Sequence, residues 1–172
     1  MYKRQALVDT EIQVTDAELA ELNVEKGMMT LVDQARQHDM LTTLSDHLIR
    51  ANHASGGSAG NSMIATAMMG APTYMSCKVA QDADGDIYLA DLEQSGVEHG
   101  LTERSTDGVT GKCVVLITPD SERSLNTHLG ISETLSTDEV DEAAIKDSEW
   151  VYLEGYLVTV SYTHLRAHET RP

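Results

Sequence analysis

The chain reads as an α/β layered domain with a mostly parallel sheet and a small antiparallel flap beside it. Segments of strand period and helix period alternate along most of the 172 residues, the pattern of a sheet covered by helices. The run "GKCVVLITP" (111–119) is continuously apolar, as a central strand buried on both faces requires. The early strands follow one another without long crossover helices, which suits a flap rather than the main sheet.

In order, "ALVDTEIQV" (6–14) carries β-branched residues in alternation and is a strand. "TDAELAEL" (15–22) is a helix capped by Thr15 or Asp16, with Glu18 in its first turn and Leu19 and Leu22 on one face. "KGMMTLVD" (26–33) is a short strand after Gly27. Residues 34–49 space Ala35, Met40, Leu41, Leu44, Leu48 and Ile49 as one face of a helix. "SMIATAMMGA" (62–71) is a buried helix stopped at Gly70. "TYMSCKVA" (73–80) is a strand, and "DIYLADLEQSG" (86–96) a helix ending at Gly96. "PDSER" turns the chain into "SLNTHLG" (124–130). "STDEVDEAAI" (136–145) is a helix capped by Ser136 or Thr137 with Glu139 near its third position, and "WVYLEGYLV" (150–158) is the last strand.

Composition bounds the function. A net charge of −16 argues against nucleic-acid backbones and anionic membranes as partners and says little about small substrates. No apolar run approaches the ~20 residues of a membrane span. The two cysteines, Cys77 and Cys113, make no disulfide framework, so a reducing cytoplasm is expected.

The two ends differ from the rest. "MYKRQ" (1–5) and the segment 160–172 resemble translated sequencing-adapter ends, leaving residues 6–159 as the natural part, a piece of a longer gene. Because the ends carry Lys3, Arg4, Arg166 and Arg171 against Glu169 alone, that insert is more acidic than the whole chain.

The motif of greatest interest is "SGGSAGN" (55–61), with Gly56, Gly57 and Gly60 just ahead of a helix. It lacks the Gly-Lys-Ser/Thr of a P-loop, and it does not match the G-x-G-x-x-G of a dinucleotide site. Two readings fit: a tight turn capped by Asn61, or paired glycines that let a ligand approach backbone N–H groups, with Asn61 donating to and accepting from sugar hydroxyls. "DADGD" (82–86) places Ile87 where a calcium loop needs glycine, so a turn with acidic helix-start residues is expected. His38, His47, His53, His99 and His128 show no metal-ligand spacing, and no G-x-S-x-G elbow occurs. Glu154 in "YLEGY" ends a strand, where ligands bind in open α/β sheets; an exposed edge acid is the other reading.

Together, "ALVD", "EKGMMTLVD", "SGGSAGNSMIATAMMGA", "KVAQDADGDIYLADLEQSGV", "TGKCVVLITPDSERSLNTHLG" and "YLEGYLV" resemble, in this order, the ribokinase-like (PfkB) carbohydrate kinases, most closely the adenosine-kinase-like branch. The resemblance implies part of a three-layer ribokinase-like domain with a small β lid. It implies an ATP- and magnesium-dependent kinase acting on a primary hydroxyl of a sugar or nucleoside, adenosine foremost. Asp9 would hold sugar hydroxyls together with Gly56, Gly57 and Asn61, and Glu154 would face the substrate. Arg123 and Asn126 would reach the substrate or its phosphate from the lid. The family's G-x-G-D motif, its catalytic Asp and its nucleotide site would lie beyond residue 159, so this piece is expected to be inactive. Lid strands of the family can pair between subunits, which allows a homodimer. A non-catalytic sugar- or nucleoside-binding regulator on the same scaffold is the alternative; an α/β oxidoreductase is disfavoured by the missing dinucleotide loop.

Overall fold

The computed structural model describes residues 2–3, 6–47, 52–101 and 103–153. Glu154, Leu48, Ile49 and the segment 160–172 lie outside the described residues.

Two sheets share the first stretch of chain. Strands β1 (Tyr2–Lys3), β5 (Thr73–Ser76), β6 (Val97–His99) and β9 (Tyr152–Leu153) form an all-parallel sheet in the order β6-β5-β1-β9. Strands β2 (Leu7–Gln13), β3 (Met29–Leu31), β4 (Asn52–Gly56), β7 (Gly111–Ile117) and β8 (Arg123–His128) form a second sheet in the order β3-β8-β7-β2-β4. The expected small antiparallel flap is therefore a five-stranded mixed sheet: β2 runs parallel to β7 and antiparallel to β4, and β8 runs antiparallel to β7 and parallel to β3. Tyr2 and Lys3 pair with both β5 and β9 through backbone N–H and C=O groups.

Two apolar cores form, one of them shared by both sheets. Helices α3 (Ser58–Met68) and α4 (Ala83–Gln94) lie over the first sheet and reach β2 and β4 of the second, so that Ala6, Val8, Met63, Met75, Tyr88 and Leu92 are buried together. Helices α1 (Asp16–Glu21) and α2 (Gln34–Thr43) cover one face of the second, where Ile12, Leu19, Leu22, Met40, Val114 and Leu116 pack. Strand β7 is central as expected, buried at most of its positions. A fifth helix, α5 (Glu142–Asp147), follows a short 3-10 turn, Gly130–Thr134.

Local chemistry explains the boundaries. Thr15 and Glu18 cap each other's backbone N–H groups at α1, a reciprocal capping box. At the start of α5 the cap is Asp141, which accepts from Ala143 and Ala144. Ser136 and Glu139, expected to open that helix, instead bond to each other in the preceding turn. The "SMIATAMMGA" helix is less buried than its apolar residues suggest, with Met68 77% and Met69 86% exposed at its end.

The "DADGD" run is a helix start. Asp82 caps α4 by accepting from Gly85 N–H at 2.8 Å, and it also accepts from the Thr110 backbone at 2.8 Å and hydroxyl at 2.6 Å. Those donors hold its carboxyl below the usual range despite partial burial. Asp84 pairs with Lys112 at 2.7 Å and Asp86 with Arg104 at 2.6 Å. All three aspartates are thus engaged in tying α4 to the 104–112 stretch.

Candidate functional site

The second sheet presents one face to α1 and α2 and leaves the other without a helix from that pair. Side chains alternate along a strand, so cross-strand register assigns each residue to a face. Asp9 is aligned with Ala54 on β4 and Cys113 on β7; Cys113 aligns with Thr127 on β8, and Thr127 with Leu31 on β3. Ala54, Asp9, Cys113, Thr127 and Leu31 therefore form one row across five strands, spaced ~4.8 Å apart. Glu11 and Arg123 stand on the same face, and the Arg123 guanidinium donates to the Glu11 carboxylate.

Asp9 is half-buried and accepts no hydrogen bond from any described residue. Burial pushes its carboxyl up from 3.8 to about 6, against the opposing pull of the Arg123 charge and with a smaller push from Glu11. Beside it, Gly56 closes β4, and a Cβ at that position would overlap the Asp9 carboxyl group. Glycine is required there by close approach, and at Gly57 by a φ of 84°, where the chain turns into α3. The carbonyl of Gly57 accepts from the Asn61 N–H at 3.0 Å, which sets exposed Asn61 in the first turn of that helix. The turn is braced from behind: Ser55 N–H donates to Asp91 of α4 at 2.7 Å. Gly60 lets α3 approach the buried Tyr88 hydroxyl. Asp9 thus lies directly against Gly56, at the turn that leads through Gly57 to Asn61.

Arg123 reaches the Asp9 face, but Asn126 does not. An odd separation along β8 puts Asn126 on the opposite face, aligned with Val114 and 2% exposed beneath α2. Its backbone carbonyl accepts from Gln37 at 3.4 Å. The strand period alone could have separated Arg123 from Asn126. Sequence reasoning also missed Cys113 and Thr127, whose hydroxyl donates to the Cys113 sulfur at 3.2 Å in the row next to Asp9. Burial pushes the Cys113 thiol up to about 11, so it is a neutral packing group rather than a nucleophile. Among the described residues, no group of three or more His, Cys, Asp or Glu side chains could hold a metal ion.

Comparison with known proteins bears on this arrangement. Residues 24–167 match the model of the pfkB family carbohydrate kinases. The chain is 25% identical over 89 residues to a ribokinase of Mus musculus, covering 52% of this chain and 28% of that protein. It is similar to the solved structure of a probable sugar kinase from Rhizobium etli CFN 42, with a TM-score of 0.81 and 31% identity over 92% of this chain and 47% of that one. The adenosine kinase from Sinorhizobium meliloti gives the same TM-score of 0.81, 31% identity and the same coverage of 92% and 47%. The chain spans about half of these structures and under a third of the mouse enzyme. With a ribokinase-like arrangement of sheets and a family match over most of its length, the chain belongs to the pfkB family of carbohydrate kinases.

Proposed function

We propose that the whole protein is an ATP- and magnesium-dependent kinase that phosphorylates a primary hydroxyl of a sugar or nucleoside, adenosine foremost. Asp9, Gly56, Gly57 and Asn61 grip the sugar hydroxyls in this reading, and Arg123 approaches from the lid face. The observation that supports it best is Asp9: a half-buried carboxylate pressed on Gly56, with no donor among the described residues. A group in that state gains most from a ligand bringing two hydroxyl donors, because each charge-assisted bond offsets desolvation already incurred.

The described residues do not provide a magnesium ligand set, so the metal would enter with the nucleotide. The catalytic Asp of the G-x-G-D motif, the anion hole beside it and the nucleotide site lie beyond residue 159, and Glu154 joins the sugar site. Residues 1–5 and 160–172 are foreign to the parent protein, which works in the cytoplasm. Among the described residues no helix is long and apolar enough to cross a membrane.

Two measurements test the reading. Calorimetry on this chain with ribose and adenosine should give binding that Asp9→Asn weakens at least about tenfold. The longer reading frame, expressed with its G-x-G-D segment, should transfer phosphate from ATP to the bound ligand. Binding without transfer by that longer protein would instead favour a regulator built on a kinase scaffold.

A further inference from the structure

Resting on that reading of the Asp9 face, we propose that Glu11 is a positioning residue that restricts the site to uncharged sugars and nucleosides and turns away phosphorylated sugars. The register fixes the geometry. Glu11 lies two residues after Asp9 on β2, on the same face, and Arg123 is the cation of that face, held by the Glu11 carboxylate. A phosphate arriving beside Asp9 would need that guanidinium, since Arg-phosphate pairing is the strong bidentate interaction available. It would have to displace Glu11 and then sit near two carboxylates.

No other described cation stands ready to compensate. Lys112 is committed to Asp84, Arg104 to Asp86, Lys78 to Glu139, Lys26 to Asp16 and Asp120, and Lys146 to Glu142. Arg36 donates to the Leu22 carbonyl on the helix-covered side. The Asp9 face thus carries Asp9 and Glu11 against Arg123, a balance that suits hydroxyls and repels phosphate. The raised proton affinity of Asp9, pulled down by Arg123 and pushed up by Glu11, reports the same three groups sensing one another.

Calorimetry with ribose, adenosine and ribose 1-phosphate tests the assignment on this chain, its Glu11→Gln variant and the Glu11→Gln/Arg123→Ala double variant. The ion pair is partly exposed, at 53% and 34%, so the single variant should fold with little loss. Wild type should bind the two neutral ligands more tightly than the phosphate. Glu11→Gln should shift the ratio toward ribose 1-phosphate by about fivefold, the scale of an exposed ion pair. That gain should weaken with added salt and disappear in the double variant. A wild type that binds ribose 1-phosphate as well as ribose overturns the assignment, as does an unchanged ratio in Glu11→Gln. Both of those results leave Asp9-dependent sugar binding intact. A folded chain that binds none of the three ligands overturns the sugar site itself and the role of Glu11 with it.

Discussion

Replacing Asp9 with Asn should make the protein more stable while weakening its hold on substrate. The folded-state carboxyl titrates at about 6 instead of 3.8, because burial against Gly56 outweighs the attraction of Arg123. The folded state therefore holds this proton more tightly than the unfolded state does. Stability linked to Asp9 is fully present below about pH 4 and is lost as pH rises through about 6. At ~1.4 kcal/mol per pH unit, the full displacement gives an upper bound of ~3 kcal/mol. The side chain is only half-buried, and solvent screening reduces that to ~1–2 kcal/mol. Asparagine has the same shape and no charge to desolvate. Thermal unfolding followed by circular dichroism should show Asp9→Asn melting roughly 2–8 °C higher than wild type near about pH 7.5, and equally near about pH 4. Calorimetry on the same variant should show sugar or nucleoside affinity reduced at least about tenfold, since a charge-assisted bond contributes ~1.5–3 kcal/mol. A melting temperature at neutral pH that stays level or falls would refute the burial argument. Unchanged affinity would refute the hydroxyl grip.

Gly56→Ala forces a methyl group into the Asp9 carboxyl, and should cost ~1–3 kcal/mol by chemical denaturation together with measurable sugar binding. Asp82→Ala removes a helix cap and two further bonds from Thr110; a loss of ~2–3 kcal/mol is expected in the same assay, with any sugar affinity retained at saturating stability. Sugar binding by the wild type should itself weaken as pH falls below about 6, where Asp9 takes up a proton and loses acceptor capacity. A titration across that range that stays flat would remove Asp9 from the contact. Sedimentation of the isolated chain should show association beyond monomer, because Leu31 is 61% and Met29 44% exposed on edge strand β3.

Local signals in the sequence were readable where the physics is local. Thr15 and Glu18 announced α1 three residues apart, and "GKCVVLITP" announced a central strand by its continuous apolarity. The paired glycines Gly56 and Gly57 marked the turn into α3, where close approach and a positive φ exclude a side chain. What escaped depends on contacts between distant segments. Ser136 and Glu139 carry a valid capping pattern, yet Asp141 starts the helix, because two caps compete within five residues and propensity does not rank them. The size of the mixed sheet depends on β2 pairing with β7, about a hundred residues away, which no periodicity reports. The family resemblance sets Asn126 beside Arg123 in the lid, whereas the pleat of β8 sends them to opposite sides. Glu11 and Thr127 gained meaning only once register placed them around Asp9 and Cys113.

The pairing of β2 also governs when a site can exist during folding. Asp9 becomes flanked only after β4 docks on one side and β7 on the other, and Arg123 arrives last, on the strand that follows β7. These contacts span long stretches of chain, so their loop-closure entropy must be met before any of them stabilises the others. During synthesis β2 could pair with β4 as soon as that strand emerged, but its other edge would stay open until β7 followed, about a hundred residues later. Helices α1 and α2 are held by local hydrogen bonds and can form early, but the bonds from Gln37 of α2 to the Lys112 and Asn126 carbonyls form only when β7 and β8 arrive. Substrate present during refolding should therefore accelerate none of the early phases and affect only the final one, in which β2, β4 and β7 come together.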